Sequence, residues 1–279
     1  MTTAWSTAHT TASASASATA SASASASGGR RFRLRRGAGR RVTPLLLAGG
    51  LCLGAPAATG TAAQADPSAR SGTPGTPETS GTGIVDSTRH GGRTLALTFD
   101  DGPNPTDTPQ LLKVLRKHHV KAVFCLWGDH VKEHPELVRA IVAGGHTLCN
   151  HTMRHEDLAT WTPERIRADL AATNAGIRRA APGARIPYFR APYGSWGRSL
   201  EVANGLGMQP LGWRLAIGDW EPPGTDELVR RIKEGITPGA VVLMHDGGGD
   251  RSQTVAAVDR IVPELRSQGW RFERPARRA

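Results

Sequence analysis

From Arg93 onward, short apolar runs alternate with longer amphipathic ones. Residues 94–99, 122–127, 146–149, 187–190, 210–214, 240–244 and 270–272 form apolar runs of strand length. Between them, residues 109–119, 135–143, 163–179, 228–234 and 254–267 place apolar side chains at helical spacing. Several of these helical runs carry Pro near their start, where its fixed φ suits a first turn. The alternation predicts an α/β fold of parallel strands joined by crossover helices. Periodicity alone does not separate an open sheet from a barrel, and no internal repeat is visible.

The pattern is absent from the first third of the chain. Residues 10–27 are almost wholly alternating Ala and Ser, too poor in apolar side chains to offset their ordering entropy, so 1–29 is expected to be disordered. Residues 66–89, rich in Gly, Pro, Ser and Thr, read as a disordered linker. That leaves 90–279 as one domain, long enough to bury a sizeable core.

Residues 30–65 have the layout of a signal peptide. Arg30, Arg31, Arg33, Arg35, Arg36, Arg40 and Arg41 form a basic block, residues 45–53 an apolar run, and Ala63-Gln64-Ala65 a small-residue cleavage site. Secretion with cleavage after Ala65 is the expectation. The apolar run is too short and Gly-interrupted for a permanent membrane span. Leu51 before Cys52 argues against a lipoprotein, and the paired arginines leave twin-arginine export open beside the general secretory route, although the residues around them match it poorly. The long stretch ahead of the signal suggests a translation start further downstream.

Cleavage changes the charge. Of the formal +11, the seven arginines before Ala65 carry +7, leaving +4 on the remainder, which makes no case for a nucleic-acid partner. It leaves two cysteines, Cys125 and Cys149. In an exported protein an even pair invites a disulfide, and both fall in strands expected to be neighbours; two buried free thiols are the alternative.

Polar residues gather where the strands end. Asp100 and Asp101 follow the first predicted strand, and His151 and His155 the third. Arg190 and Tyr193 end the fourth, Asp219 follows the fifth and His245 the sixth. The C-terminal ends of parallel strands meet on one face, where α/β folds build their sites. His151 and His155, four apart, would share a face on one helical turn. With a carboxylate from Asp101 they make a two-His, one-carboxylate set with open positions, as catalytic zinc requires, and such a metal lowers the pKa of bound water. Asp100-Asp101 before Gly-Pro has a plain reading as a tight turn. In the functional reading one carboxylate binds metal and the other serves as base, and spacing does not decide which.

These segments resemble the polysaccharide deacetylase family, the carbohydrate esterases that share the NodB-homology domain. Thr98-Phe99-Asp100-Asp101-Gly102-Pro103 is similar to its first motif and Asn150-His151-Thr152-Met153-Arg154-His155 to its second. Arg190-Ala191-Pro192-Tyr193-Gly194 is similar to the third, Asp219-Trp220 to the core of the fourth, and Leu243-Met244-His245-Asp246 to the fifth. The resemblance implies an irregular (β/α) barrel with about seven parallel strands, fewer than the regular eight. It implies that Asp101, His151 and His155 hold one divalent metal, with zinc the default and cobalt or nickel compatible. Asp100 would be the base, paired with Arg190. The Tyr193 N–H would stabilise the oxyanion, and His245, oriented by Asp219, would protonate the leaving group. In place of the further Asp that the family often carries before its fourth motif, this chain has Ala216-Ile217-Gly218.

The implied activity is removal of acetyl groups from a carbohydrate polymer, most directly N-acetylglucosamine units of chitin or peptidoglycan, by a monomer. O-deacetylation of xylan would use the same groups. A non-catalytic carbohydrate-binding module is disfavoured because every ligand and acid–base position is filled. A ferrous oxygenase would leave Asp100, Arg190 and His245 without a task. Tyr193, Trp196, Trp220 and Leu243 are candidate substrate contacts, whereas Trp127 and Trp213 read as core.

Overall fold

A computed structural model of the chain describes residues 83–277. The Ala/Ser-rich segment, the signal-like region and most of the linker lie outside the described residues. The elements run β1 (Thr94–Asp100), α1 (Asp107–Lys117), β2 (Val123–Leu126), α2 (Gly128–Glu133), α3 (Pro135–Ala143), β3 (Thr147–Asn150), α4 (Pro163–Ala180), β4 (Tyr188–Phe189), α5 (Ser199–Gly205), β5 (Gln209–Pro210), β6 (Leu215–Ala216), α6 (Thr225–Gly235), β7 (Ala240–His245), α7 (Ser252–Ser267) and β8 (Arg271–Phe272). The strands pair in the order β5-β4-β3-β2-β1-β7-β6, all parallel, and β8 pairs with the start of β1. The sheet curls into an incomplete barrel with helices outside, as the irregular-barrel expectation required.

Strand alternation sorts the core into two compartments. Leu95, Leu97 and Phe99 of β1, Phe124 and Leu126 of β2, and Val242 and Met244 of β7 face outward and pack with helix residues such as Leu111, Ile141, Leu170 and Val258. Ala96, Val123, Cys125, Cys149 and Val241 face inward. The inward positions at the C-terminal end of β1 are Thr98 and Asp100, both buried although polar. A polar group buried this way must find partners, and Thr98 and Asp100 find theirs in Arg190.

Differences from the sequence reading follow from local physics. Of the stretch 210–214 only Pro210 belongs to β5, which is Gln209–Pro210, and a separate β6 that the periodicity missed begins at Leu215. Two-residue strands carry too little pattern to register. The short helices α2 and α5 were missed for the same reason. The end of the presumed linker is ordered. Val85 bridges Leu211, Ser87 bridges Ala240, and Thr88 bridges Pro275. Val85 N–H donates to the Pro210 carbonyl at 2.9 Å and Val241 N–H to the Asp86 carbonyl at 3.0 Å, so residues 85–88 stitch the β5 side of the sheet to β7. Among the described residues, no helix is long and apolar enough to cross a membrane.

Cys125 and Cys149, register partners on β2 and β3, form a disulfide with their Cα atoms 4.1 Å apart. The bridge closes a loop with a sequence separation of 24. Chain-entropy arguments put its contribution at about 3 kcal/mol. The C125A/C149A double variant is expected to lower stability by about that amount in urea unfolding, and reduction of the unfolded wild type before refolding should lower it equally.

Candidate active site

The C-terminal ends of β1, β3, β4 and β7 open into a cleft of about 490 Å³ lined by Asp100, Asp101, His151, His155, Tyr193, Trp213, Trp220, Leu243 and His245, among others. Behind Asp100 and Trp213 in its wall lies Arg190, fully buried. The guanidinium donates to Asp100 Oδ1 at 2.7 Å, Thr98 Oγ1 at 2.9 Å, and the carbonyl oxygens of Leu211 and Gly212 at 3.0 Å each. Thr98 Oγ1 in turn donates to the Val242 carbonyl at 2.7 Å. Asp100 is thereby held at one oxygen, and its Oδ2 lies 3.7 Å from His151 Nε2.

Asp101, His151 and His155 converge. Asp101 Oδ1 lies 3.5 Å from His151 Nε2 and 3.4 Å from His155 Nε2, with the three prospective ligand atoms within 4.8 Å of one another. His151 Nδ1 sits 2.8 Å from the Arg190 carbonyl, an acceptor only, so Nδ1 carries the proton and the Nε2 lone pair is free to face a metal. Asp101 Oδ1 is buried with no hydrogen-bond partner, a costly arrangement for a carboxylate. One oxygen and two imidazole nitrogens around an orphaned anionic atom fit a divalent cation of borderline softness. Burial opposes ionisation of Asp101, but the neighbouring imidazoles of His151, His245 and His155 outweigh it and hold the carboxyl well below the usual range.

The two histidines do not share a helical turn. Residues 151–155 form an irregular loop in which Thr152 (φ 66°) and His155 (φ 56°) are left-handed. Asp101 (φ 71°) and Tyr193 (φ 59°) are left-handed too. Each such residue costs on the order of 1 kcal/mol or more and persists only where its surroundings hold it. Here Asn150 Oδ1 accepts the Thr152 N–H at 2.9 Å, while Asn150 Nδ2 donates to the Leu170 carbonyl and Asn174 Oδ1 on α4, both at 2.9 Å. Asp169 accepts the Met153 N–H, and the first N–H groups of α2, from Gly128 and Asp129, donate to the carbonyls of Thr152 and Met153. His130 Nδ1 lies 2.7 Å from the Asp101 carbonyl, and Trp127 packs against the rings of His130 and His155.

On the other wall, His245 Nδ1 donates to Asp219 Oδ1 at 2.7 Å. Asp219 Oδ2 accepts the His245 N–H at 2.9 Å and Thr254 Oγ1 at 2.8 Å. Arg251, buried, donates to the Asp219 carbonyl at 2.8 Å and to Gly247 and Gly248. Asp219 is thus fully engaged without the further Asp that Ala216-Ile217-Gly218 lacks. Burial works against a charged His245, but the Asp219 carboxylate, helped by Asp100 and Asp101, raises its pKa above the ordinary value. The adjacent Asp246 is buried, accepts from Thr108 at 2.5 Å, and is pushed up to about 7 by burial and then by the nearby aspartates.

The 3-10 turn Pro192–Gly194 presents Tyr193, exposed at the rim. Its own hydrogen bonds run from Gly194 and Ser195 N–H to the Ala191 and Pro192 carbonyls, outside which the Tyr193 N–H stands. A Cβ on Gly194 would meet Trp213 at 2.9 Å, and φ there is +67°, so this position requires glycine. Trp220 is exposed, edge-on to His245 at 5.7 Å, and Leu243 lines the cleft.

One substrate-contact reading changes. Trp196 does not line the cleft; it packs edge-on against Phe189 at 6.0 Å and joins the outer core, in a loop whose Gly197 lies close against the Ala159 backbone. Trp213 packs against the inner core as expected and also lines the cleft, 5.6 Å from the Arg190 guanidinium. Thr98, His130, Arg251 and Thr254 were missed. Each acts through a partner distant in sequence, and only the Arg251 guanidinium near an Asp-Gly-rich turn offered even a weak signal.

Comparison with known proteins is consistent with this geometry. Residues 87–211 match the family model for polysaccharide deacetylase. The chain is 40% identical over 190 residues to the chitooligosaccharide deacetylase of Rhizobium leguminosarum bv. trifolii, covering 64% of this chain and 88% of that protein. It is 37% identical over 181 residues to a peptidoglycan-N-acetylglucosamine deacetylase of Bacillus cereus, covering 64% and 84%. The crystal structure of the Bc1960 peptidoglycan N-acetylglucosamine deacetylase superposes with a TM-score of 0.65 at 32% identity, covering 68% and 90%.

The His245–Asp219 pair makes a titration prediction. In the wild type, the His245 pKa measured by NMR should lie above 6.5, and Asp219→Asn should bring it down, because the neutral amide no longer favours the imidazolium.

Proposed function

We propose that this chain, which belongs to the polysaccharide deacetylase family, hydrolyses the N-acetyl groups of N-acetylglucosamine units in chitin- or peptidoglycan-type polymers. The observation that carries this reading is one cleft in which an orphaned Asp101 oxygen faces two oriented imidazoles, flanked by an Arg-held carboxylate and a carboxylate-held histidine. Asp101, His151 and His155 would hold a divalent ion, zinc by preference. When bound, such an ion supplies Lewis acidity to the acetyl carbonyl and makes water more acidic.

The protein groups divide the proton work. Asp100, oriented through Oδ1 by Arg190, keeps Oδ2 toward the cleft to take a proton from the attacking water. The Tyr193 N–H supports the negative charge that develops on the acetyl oxygen. His245, charged and held at Nδ1 by Asp219, gives its Nε2 proton to the departing amine. Leu243 and Trp213 offer apolar surface for the acetyl methyl, and Trp220 and Tyr193 at the rim offer faces for sugar rings. A signal-directed, secreted monomer acting on an extracellular polymer is the setting we propose for this chemistry.

Mass spectrometry of chitooligosaccharides, acetylated xylan and peptidoglycan fragments after incubation with the purified protein is expected to show acetyl loss from the glucosamine substrates. Chelator should abolish it, and Asp100→Asn should lower the rate by about 10²–10⁴-fold. Acetyl loss indifferent to both treatments would overturn the mechanism, and preference for xylan would overturn the substrate. Because His245 acts in its charged form, kcat/KM should fall as pH rises through its raised pKa, and Asp219→Asn should move that basic limb to lower pH.

A further inference from the structure

The N-terminal ends of the strands form the opposite mouth of the barrel, about 23 Å from the cleft along the seven residues of β1. Two adjoining cavities of about 940 and 310 Å³ open there, sharing Tyr188, Arg274 and Arg277 in their walls. Five permanent cations line them: Arg89, Lys121, Arg185, Arg274 and Arg277. None of the five is paired with a carboxylate among the described residues. Glu273, the one acid in either wall, is held by His90 at 2.9 Å. Lys121 and Arg274 instead donate to the Gly144 and Gly145 carbonyls at 2.5 and 3.4 Å, which orients them without neutralising them.

Half-buried His146 sits in the wall of the smaller cavity. His146 accepts the Ala122 N–H at Nδ1, and its pKa is pushed down to about 4, first by burial and then by Lys121 and Arg274. Between the charges lies apolar surface from Phe272, Pro275 and the Tyr188 ring, whose hydroxyl is turned away to the Pro275 carbonyl at 2.8 Å. Four of the five cations are arginines, whose planar forks suit the paired free oxygens of a phosphodiester, and their spread over two adjoining cavities suits repeated charges rather than one.

We propose that this mouth of the barrel binds a phosphodiester-linked polyol or sugar polymer, with the arginines on the phosphates and the aromatic floor on the carbon skeleton. Binding there would hold the protein on an anionic polymer while the opposite mouth stays free for its own substrate. The net +4 of residues 66–279 gives no hint of such a site, because the cations are gathered by the fold and not by the sequence.

Fluorescence anisotropy of labelled poly(glycerol phosphate) with the full chain, across a salt series, tests this. The R185Q/R274Q/R277Q variant should bind at least roughly tenfold more weakly, with a log–log salt slope smaller by about 2, as expected for three lost contacts to a flexible chain. The basic block around Arg30–Arg41 is common to both proteins, so the difference isolates the cavities. The variant should keep wild-type kcat/KM on soluble chitooligosaccharides within about twofold, the scatter typical of surface changes. Binding should persist in chelator and in Asp100→Asn, which separates this site from the deacetylase reading. Unchanged affinity in the variant overturns the proposal. Tighter binding of polygalacturonate or of duplex DNA overturns the phosphate-polymer assignment. Should the triple variant fail to fold, the exposed single changes R185Q and R277Q carry the same comparison.

Discussion

The structure turns on a guanidinium inside a barrel. Arg190 fills the space between β1, β4 and the segment after β5, where another protein of this shape would place a branched aliphatic side chain. Taking a cation out of water costs several kcal/mol, recovered only if every donor finds an acceptor. Here Asp100, Thr98 and two main-chain carbonyls accept from four of the five guanidinium N–H groups, and all three nitrogens are engaged. The pair therefore links the sheet's interior to the cleft: Asp100 cannot rotate without stranding a buried charge. The carbonyl of Arg190 also fixes the tautomer of His151. One residue thus aligns a base through its side chain and a prospective metal ligand through its backbone.

The parts of this molecule that the chain displays openly are those governed by local rules. Long strands such as β1 and β7 and long helices such as α4 and α7 announce themselves by period, and their positions agree with expectation to within a residue or three. The polar residues at the strand ends were equally readable, since parallel topology forces those ends together. Concealment begins where tertiary contacts override local preference. His151 and His155 were rightly paired, for a reason that fails: their loop is held by Asn150, Asp169 and the first turn of α2, not by helical spacing. Trp196 turned out to pack in the outer core, and Trp213 adds a cleft face to its core contacts, because a loop's direction cannot be read from its composition. Arg251 and Thr254 come near Asp219 only after α7 docks, so no window of sequence contains both ends of either contact.

Left-handed backbone clusters around the cleft. Asp101, Thr152, His155 and Tyr193 account for four of the five non-glycine residues of that kind among the described residues, and all four carry or flank a proposed role. The locations make sense energetically. A regular strand end would point successive side chains to opposite faces, whereas Asp100 and Asp101 must both serve the same cleft. A left-handed turn at the second residue breaks the alternation. The strain is tolerated because His130 and the Gly247 region close around the Asp101 carbonyl.

The stitch formed by residues 85–88 has a bearing on how the domain comes into being. Those residues precede the first strand of the sheet, yet their partners, Leu211, Ala240 and Pro275, lie far downstream along the chain. The seam between the β5 and β7 sides must therefore stay open until the segments carrying those partners are available. Contacts of such long range are slow to form. The final closure of the barrel is accordingly a late event in the folding of the domain, and a chain lacking those downstream segments would expose the seam's unpaired main-chain edges.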